Sequence, residues 1–440
     1  MKKYPKGFML GAATAAHQVE GNNIHSDYWV QEQIPHSVFV EPSLDAVDHY
    51  NHYEEDIRLL AEAGLNTYRF SIEWARIQPE PDVWDEKEVQ HYRDVLECCE
   101  RYHVRPIVTM MHFSSPKWLI SLGGWENPQV VDYFTAYCKR LVEELGEKLE
   151  YICTINEANM RLQLAALMKD MMKRMGGSGA AAEEGKSAKS AEGSVQVGIN
   201  IQSKEEMMLG MVETAQAFGI ADPTAVHTFV SQCTPEGDLL VMKAHEAARD
   251  AMKAACPHLK IGLTLSLHDL QPYPGGEAFA DAEWDDEFRH YLPYIQNDDF
   301  LGVQCYTRKR FDQNGVAQPT EGEPRTQMGY EDYPLGIANV VRKVAEDFHG
   351  DLIVTENGIA TDDDARRCAF IREAADALMK CIDDGLPLKG YMYWSLLDNF
   401  EWQKGFSMTF GLIGVDRSTQ TRHPKESLKV LGSLLESDMQ

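Results

Sequence analysis

Hydrophobic and polar positions follow two alternating rhythms along this chain. Short apolar runs rich in β-branched residues start near Phe8 (FMLGAAT), Thr67 (TYRFSI), Arg105 (RPIVTMM), Tyr151 (YICTIN), Lys260 (KIGLTLS), Phe300 (FLGVQCY), Leu352 (LIVTEN) and Lys389 (KGYMYWSL). Near-continuous apolar runs of this length suit parallel strands buried on both faces. Longer amphipathic stretches lie between them. Tyr53 to Ala63 ends at Gly64, a helix stop. Asp85 to Tyr102 has acids in its first turn, and Asn127-Pro128 is expected to cap and open a helix from Val130 to Leu145. Gly237 to Ala255 is alanine-rich and favours helix. Pro334 to Phe348, Ala365 to Ile382 and Pro424 to Leu435 complete the set.

Eight apolar runs, most of them followed by a helical pattern, predict an α/β fold. The expected architecture is a single (β/α)8 TIM barrel over residues 1–440, with long βα loops at its C-terminal face. A doubly wound sheet is the alternative. It would want a glycine-rich phosphate loop after the first strand, and none is present. One segment breaks the rhythm. Residues 176–193 are rich in Gly, Ala, Ser, Glu and Lys and nearly free of large apolar side chains. They read as a low-complexity mobile excursion in the connection after the fourth strand, either a passive solvated insertion or a lid.

Charge and cysteine content narrow the function. Sixty-nine acidic residues against 42 basic ones leave a net charge of −27. A field of that sign repels nucleic acid and anionic membranes, so neither is an expected partner. No apolar run approaches the ~18 residues of a membrane helix. Tyr4-Pro5-Lys6-Gly7 interrupts the N-terminus, so no signal peptide is expected. The nine cysteines are scattered, without a C-x-x-C pair, which suits a reduced, cytoplasmic protein better than a disulfide or zinc scaffold.

The chemistry concentrates at strand ends. Thr154-Ile155-Asn156-Glu157 and Val354-Thr355-Glu356-Asn357-Gly358 each end an apolar run in a carboxylate beside an asparagine. In a barrel such positions point into the active-site mouth. Two carboxylates facing each other there are what glycosidic bond cleavage needs. The neighbouring amides can orient an acid or hold a hydroxyl. The last strand and loop, Tyr391 to Trp402, carry five aromatic residues in twelve. Sugar rings lay apolar C–H faces on aromatic platforms, a role for Trp394, while Glu401 and Trp402 supply an acceptor and a donor.

Several ordered motifs go further. They are Gly7-Phe8-Met9-Leu10-Gly11, His17-Gln18-Val19-Glu20-Gly21, Tyr68 through Trp74, His112-Phe113 ahead of Pro116-Lys117-Trp118-Leu119, the two carboxylate segments, Trp394 through Trp402, and Arg422-His423-Pro424-Lys425. Together they cover essentially the whole chain, and they resemble the family 1 glycoside hydrolases of β-glucosidase and β-galactosidase type. That resemblance implies a barrel fold and a retaining mechanism, with Glu157 as general acid/base and Glu356 as nucleophile about 5–5.5 Å apart. It implies Arg69 and Tyr306 as supports of Glu356. It further implies Gln18, His112, Asn156, Glu401 and Trp402 as partners of sugar hydroxyls, Trp394 beneath the ring, Phe410 near its 6-position, and Trp118 at the inner mouth. Ala158 departs from the family's usual proline, and Gln304 from its usual asparagine.

The resemblance therefore implies a β-glycosidase without metal or cofactor, acting on small β-glycosides or short β-linked oligosaccharides. The expected sugar is terminal β-D-glucose, with galactose or fucose also open. Two alternatives stand beside it: a 6-phospho-β-glucosidase, disfavoured by a negative charge on Glu401, and an inactive sugar-binding protein. Oligomeric state is left open.

Overall fold

The computed structural model describes residues 2–175, 196, 198–231, 233–320 and 322–436. The excursion expected at 176–193 lies outside them. The strands are β1 Met9–Ala13, β2 Thr67–Ser71, β3 Arg105–Met111, β4 Tyr151–Ile155, β6 Phe300–Gln304, β7 Asp351–Glu356 and β8 Leu388–Trp394. Between β4 and β6 runs β5, in two pieces, Lys260–Gly262 and Thr264–Ser266. The hydrogen-bonded order is first piece of β5, β4, β3, β2, β1, β8, β7, β6, second piece of β5. Every neighbour is parallel. β5 closes the ring, with Gly262 opposite Cys153 of β4 and Thr264 opposite Gly302 of β6.

The period-two alternation of strand side chains sorts the apolar runs into two cores. Met9, Ile107, Cys153, Phe300, Ile353 and Met392 form one buried cluster, the filling of the barrel. One residue away on the same strands, Leu10, Val108, Ile152, Leu301, Leu352 and Tyr391 belong to the larger core beneath the helices. Both faces are thus covered, which is why the runs look continuous in sequence. Backbone closeness adds a demand at Gly358, where a Cβ would come 1.9 Å from the Trp394 carbonyl oxygen. The turn leaving β7 has room only for glycine there.

Helices His49–Glu62, Glu86–Arg101, Val130–Leu145, Pro235–Ala255, Gly336–Asp347 and Asp364–Asp383 fill the amphipathic stretches. Two expected ends shift. The Val130–Leu145 helix begins from Gln129 rather than from a cap on Asn127-Pro128. Asn127 instead turns its side-chain oxygen to the Gln129 N–H at 3.0 Å. The last helix shrinks to Glu426–Gly432, because Thr421–Pro424 pairs antiparallel with Ile413–Asp416. Three longer helices are not announced by periodicity: Met160–Met175, Lys204–Ala217 and Glu277–Glu287. In Lys204–Ala217 apolar residues fall on every side, so no single face repeats. Among the described residues no helix is long and apolar enough to cross a membrane. All nine cysteines are free thiols, most of them buried.

Candidate active site

Glu157 leaves the end of β4 in left-handed backbone, φ 43°. That conformation costs a residue with a side chain on the order of 1–3 kcal/mol. β5 holds it in place. The Glu157 N–H donates to the Thr264 hydroxyl at 2.8 Å, and the Ala158 N–H donates to the Thr264 carbonyl at 2.9 Å. The alanine that stands in place of the family's proline therefore supplies a donor that proline lacks.

Glu356 ends β7, opposite a guanidinium. Arg69 of β2 donates from one terminal nitrogen to Glu356 Oε1 at 2.5 Å and from the other to Asn156 Oδ1 at 2.6 Å. Its Nε–H donates to the Thr109 hydroxyl at 3.1 Å. The Tyr306 phenol donates to Glu356 Oε2 at 2.6 Å. Arg69 and Glu356 are both buried. A buried charge survives only when paired and hydrogen-bonded, and this pair is both.

The two carboxyls titrate apart. Burial pushes Glu157 well above the usual carboxylate range, and the charge of Glu356 pushes it further, with Ser266 and Arg69 opposing weakly. Burial also raises Glu356, but Arg69 and Tyr306 hold it back. Glu356 thus ionises first and Glu157 keeps its proton, because like charges in one buried pocket cannot both ionise freely. A third carboxyl joins them. Glu401 is pushed up to about 8, by burial and then by Glu356. Its surroundings thus oppose the negative charge expected of it from the sequence.

The sugar-facing candidates gather around this trio. Gln18 donates from Nε2 to the Phe400 carbonyl at 2.8 Å and lies 3.4 Å from Glu401 Oε2. Asn156 Nδ2 donates to His112 Nε2 at 3.1 Å. That bond assigns the imidazole proton to Nδ1. Burial and Arg69 drive the His112 pKa well down, so the ring is neutral. Gln18 Oε1 and His112 Nδ1 are buried with no partner among the described residues. One free acceptor and one free donor in a buried pocket are what a hydroxyl-rich ligand satisfies. Trp394 stacks on His112 at 5.6 Å and 23°. Trp402 stacks on His17 at 6.0 Å and 3°. Phe410 meets the Tyr306 ring edge-on at 6.0 Å.

Trp118 is placed otherwise. Its indole packs edge-on against Trp74 and Tyr133, and its N–H donates to the Gln78 carbonyl at 2.8 Å. It is buried packing rather than mouth. Sequence reading also misses contributors. Thr264 seats Glu157, and Gln196 bonds the Tyr306 N–H and the Ser266 hydroxyl. Tyr330 is buried with an unpartnered hydroxyl whose electrostatic neighbours include Glu401 and Glu157. No strand-end position or repeat marks these three residues.

The model of Glycosyl hydrolase family 1 matches residues 1–170 and 286–439. The chain belongs to this family. A 1,4-beta-D-glucan glucohydrolase of Thermotoga neapolitana is 29% identical over 97% of this chain and 97% of its own length. A 6-phospho-beta-galactosidase of Staphylococcus haemolyticus is 27% identical over 99% of each. Among solved structures, beta-glycosidase BGL167 superposes with a TM-score of 0.85 at 39% identity, covering 99% of both chains. This family 1 glycoside hydrolase is thus an enzyme acting on O-glycosyl bonds, built on the α/β barrel of its relatives. Its family match leaves out residues 171–285, yet that stretch contributes Thr264 and Ser266 of β5 to the seat of Glu157.

Proposed function

We propose that this glycoside hydrolase is a retaining β-glycosidase releasing terminal β-D-glucosyl residues, with galactosyl or fucosyl residues as secondary substrates. The observation that carries the reading is the unequal setting of two buried carboxyls. Glu356 is gripped by Arg69 and Tyr306, while Glu157 lacks such a grip and burial and the charge of Glu356 favour its protonated form. In this reading ionised Glu356 attacks the anomeric carbon as Glu157 gives its proton to the departing glycosidic oxygen. The product is a glycosyl ester on Glu356 plus a free alcohol. Esterification removes the Glu356 charge, so the pKa of Glu157 falls. Glu157 then takes a proton from water, whose oxygen attacks the anomeric carbon and frees Glu356. Gln18, His112, Asn156, Glu401 and Trp402 hold hydroxyls, Trp394 supports the ring, and Phe410 borders its 6-position. The nine free thiols support a reducing, cytoplasmic setting.

The 6-phospho reading gains two relatives, both 6-phospho-beta-galactosidases, but loses on the site. A phosphate dianion wants cations, and Arg69, a cation of this pocket, is already bound to Glu356 and Asn156. The non-catalytic reading has no support from a group that keeps both carboxyls and their partners. A panel of p-nitrophenyl β-glucoside, galactoside, fucoside and 6-phosphoglucoside tests all three. Highest kcat/KM on the glucoside, with retained configuration of the first-formed sugar, is expected. A preference for the 6-phosphoglucoside, or no turnover of any of the four, overturns the proposal.

A further inference from the structure

Gln18 has a place in the sugar pocket, but His17 beside it has no part in the chemistry above. It is buried, and both of its ring nitrogens are engaged. Nε2–H donates to Glu32 Oε1 at 2.7 Å, and Nδ1 accepts from Asn23 Nδ2 at 3.0 Å. Glu32 ends the helix Asp27–Glu32 and is buried as well. Its other oxygen accepts from the Ser43 N–H at 2.9 Å and the Ser43 hydroxyl at 2.6 Å. A buried carboxylate with three donors is a fixed point in the fold. An imidazole tied to it at one nitrogen, and to an amide at the other, cannot swing. The plane of the ring is therefore set.

That plane matches Trp402. The two rings lie 3° from parallel with centroids 6.0 Å apart. His112 also stacks on the indole, at 22°, while Tyr28 and Phe113 meet it tilted, at 4.7 and 5.3 Å. Among these described contacts, His17 is the ring most nearly parallel to the indole. The Trp402 backbone needs such support. Its φ of 45° is left-handed, a conformation that a residue with a side chain keeps only where its surroundings hold it. The same segments grip the loop through the backbone. The Phe400 N–H donates to the Gln18 carbonyl and the Val40 N–H to the Gln403 carbonyl, each at 3.2 Å. His17 further packs edge-on against Phe400 at 6.1 Å.

We propose that His17 is a positioning residue of this glycosidase: held by Glu32, its ring sets the plane of Trp402 and so the aim of the indole N–H at the sugar. The inference rests on the proposed function for the part Trp402 plays, and on the contacts of His17 for the rest. It divides one side chain into two tasks. The hydrogen bond to Glu32 serves stability, and the ring serves the sugar.

Two substitutions in the full chain separate these tasks, with p-nitrophenyl β-glucoside as substrate. His17→Gln keeps a donor for Glu32 but has no ring, while His17→Phe keeps a ring but has no donor. His17→Gln is expected to raise KM about 2- to 10-fold, the worth of one lost ring contact. Its kcat should change little, because binding rather than the chemical step is affected. His17→Phe is expected to return KM towards the wild-type value while lowering Tm further than His17→Gln, since it leaves Glu32 short of a donor. A merely structural role makes KM follow Tm instead. Combined with Trp402→Phe, His17→Gln should add little to KM, because residues that act through one another are not additive. Near-UV circular dichroism reads the indole without turnover. The band lost in Trp402→Phe should also be lost in His17→Gln and return in His17→Phe. A KM that follows Tm, or a His17→Gln effect that adds in full to that of Trp402→Phe, overturns the inference and spares the glycosidase reading. If His17→Phe does not fold, the double variant decides. If no glucoside is turned over, the glycosidase reading falls and the dichroism band decides the positioning by itself: a band retained in His17→Gln overturns it.

Discussion

Glu356 and Glu157 end strands three places apart around the same barrel, and the fold treats them oppositely. Glu356 receives a guanidinium from β2 and a phenol from the loop after β6, at 2.5 and 2.6 Å. Glu157 receives backbone support instead: its N–H and that of Ala158 are tied to Thr264, while its carboxyl is governed first by burial and the field of Glu356, which a Ser266 hydrogen bond and the more distant Arg69 only oppose. The same residue type thereby becomes an anion in one place and an acid in the other. The difference comes from which neighbours the strand order delivers, because desolvation raises both and only one gets a cation.

Removing the anion breaks the comparison hardest. Glu356→Ala is expected to cost at least about a thousandfold in kcat, with added azide or formate restoring part of the turnover and giving an inverted product by NMR. Near-normal kcat in this variant ends the proposed mechanism. On the other side, Glu157→Gln is expected to cost about 10²–10⁴ with poor leaving groups. It should spare the first step with dinitrophenyl glucoside and erase the alkaline limb of the kcat/KM profile. An alkaline limb that persists assigns the acid to another residue.

Finer changes sharpen the contrast. Tyr306→Phe removes one donor to an ionised carboxylate, a bond of about 1.5–3 kcal/mol, or roughly 10- to 150-fold in kcat/KM. The lost donor held the Glu356 pKa down, so the acid limb should move to higher pH. A limb that stays or moves to lower pH detaches it from Glu356. The smallest effect concerns stability. Glu401 has an ordinary pKa of 4.5 that burial and Glu356 raise to about 8. Between those values the folded protein keeps a proton that the unfolded chain has released. The stability from this group is complete below the ordinary pKa and is lost as pH rises to about 8. Glu401→Gln cannot lose it, so its Tm should fall less than that of the wild type between pH 5 and 8, by a few degrees. Parallel Tm curves for the two proteins remove Glu401 from the account.

Much of this was legible without coordinates, for a definite reason. Strands buried on both faces must be apolar throughout, so the eight runs stood out, and a carboxylate ending such a run has few structural uses. Gly358 was not singled out, because its close approach to the Trp394 carbonyl joins two strands far apart in the chain. Trp118 misled because a tryptophan reads alike whether it lines a mouth or packs between Trp74 and Tyr133. The Lys204–Ala217 helix escaped because its apolar residues follow no single face.

The amino-acid pattern by itself determined the strands, the barrel and the candidate carboxylates Glu157 and Glu356, since these depend on local periodicity and residue type. Only the tertiary structure decided their protonation. That depends on distance and burial, which bring Arg69 to Glu356 across 287 residues of chain and Thr264 to Glu157 across 107. It also decided that burial and Glu356 oppose a charge on Glu401 and that a cavity lined, among the described residues, by uncharged side chains backs onto Trp402. Charge and shape in a pocket are sums over neighbours from many elements, and no single stretch of sequence contains that sum.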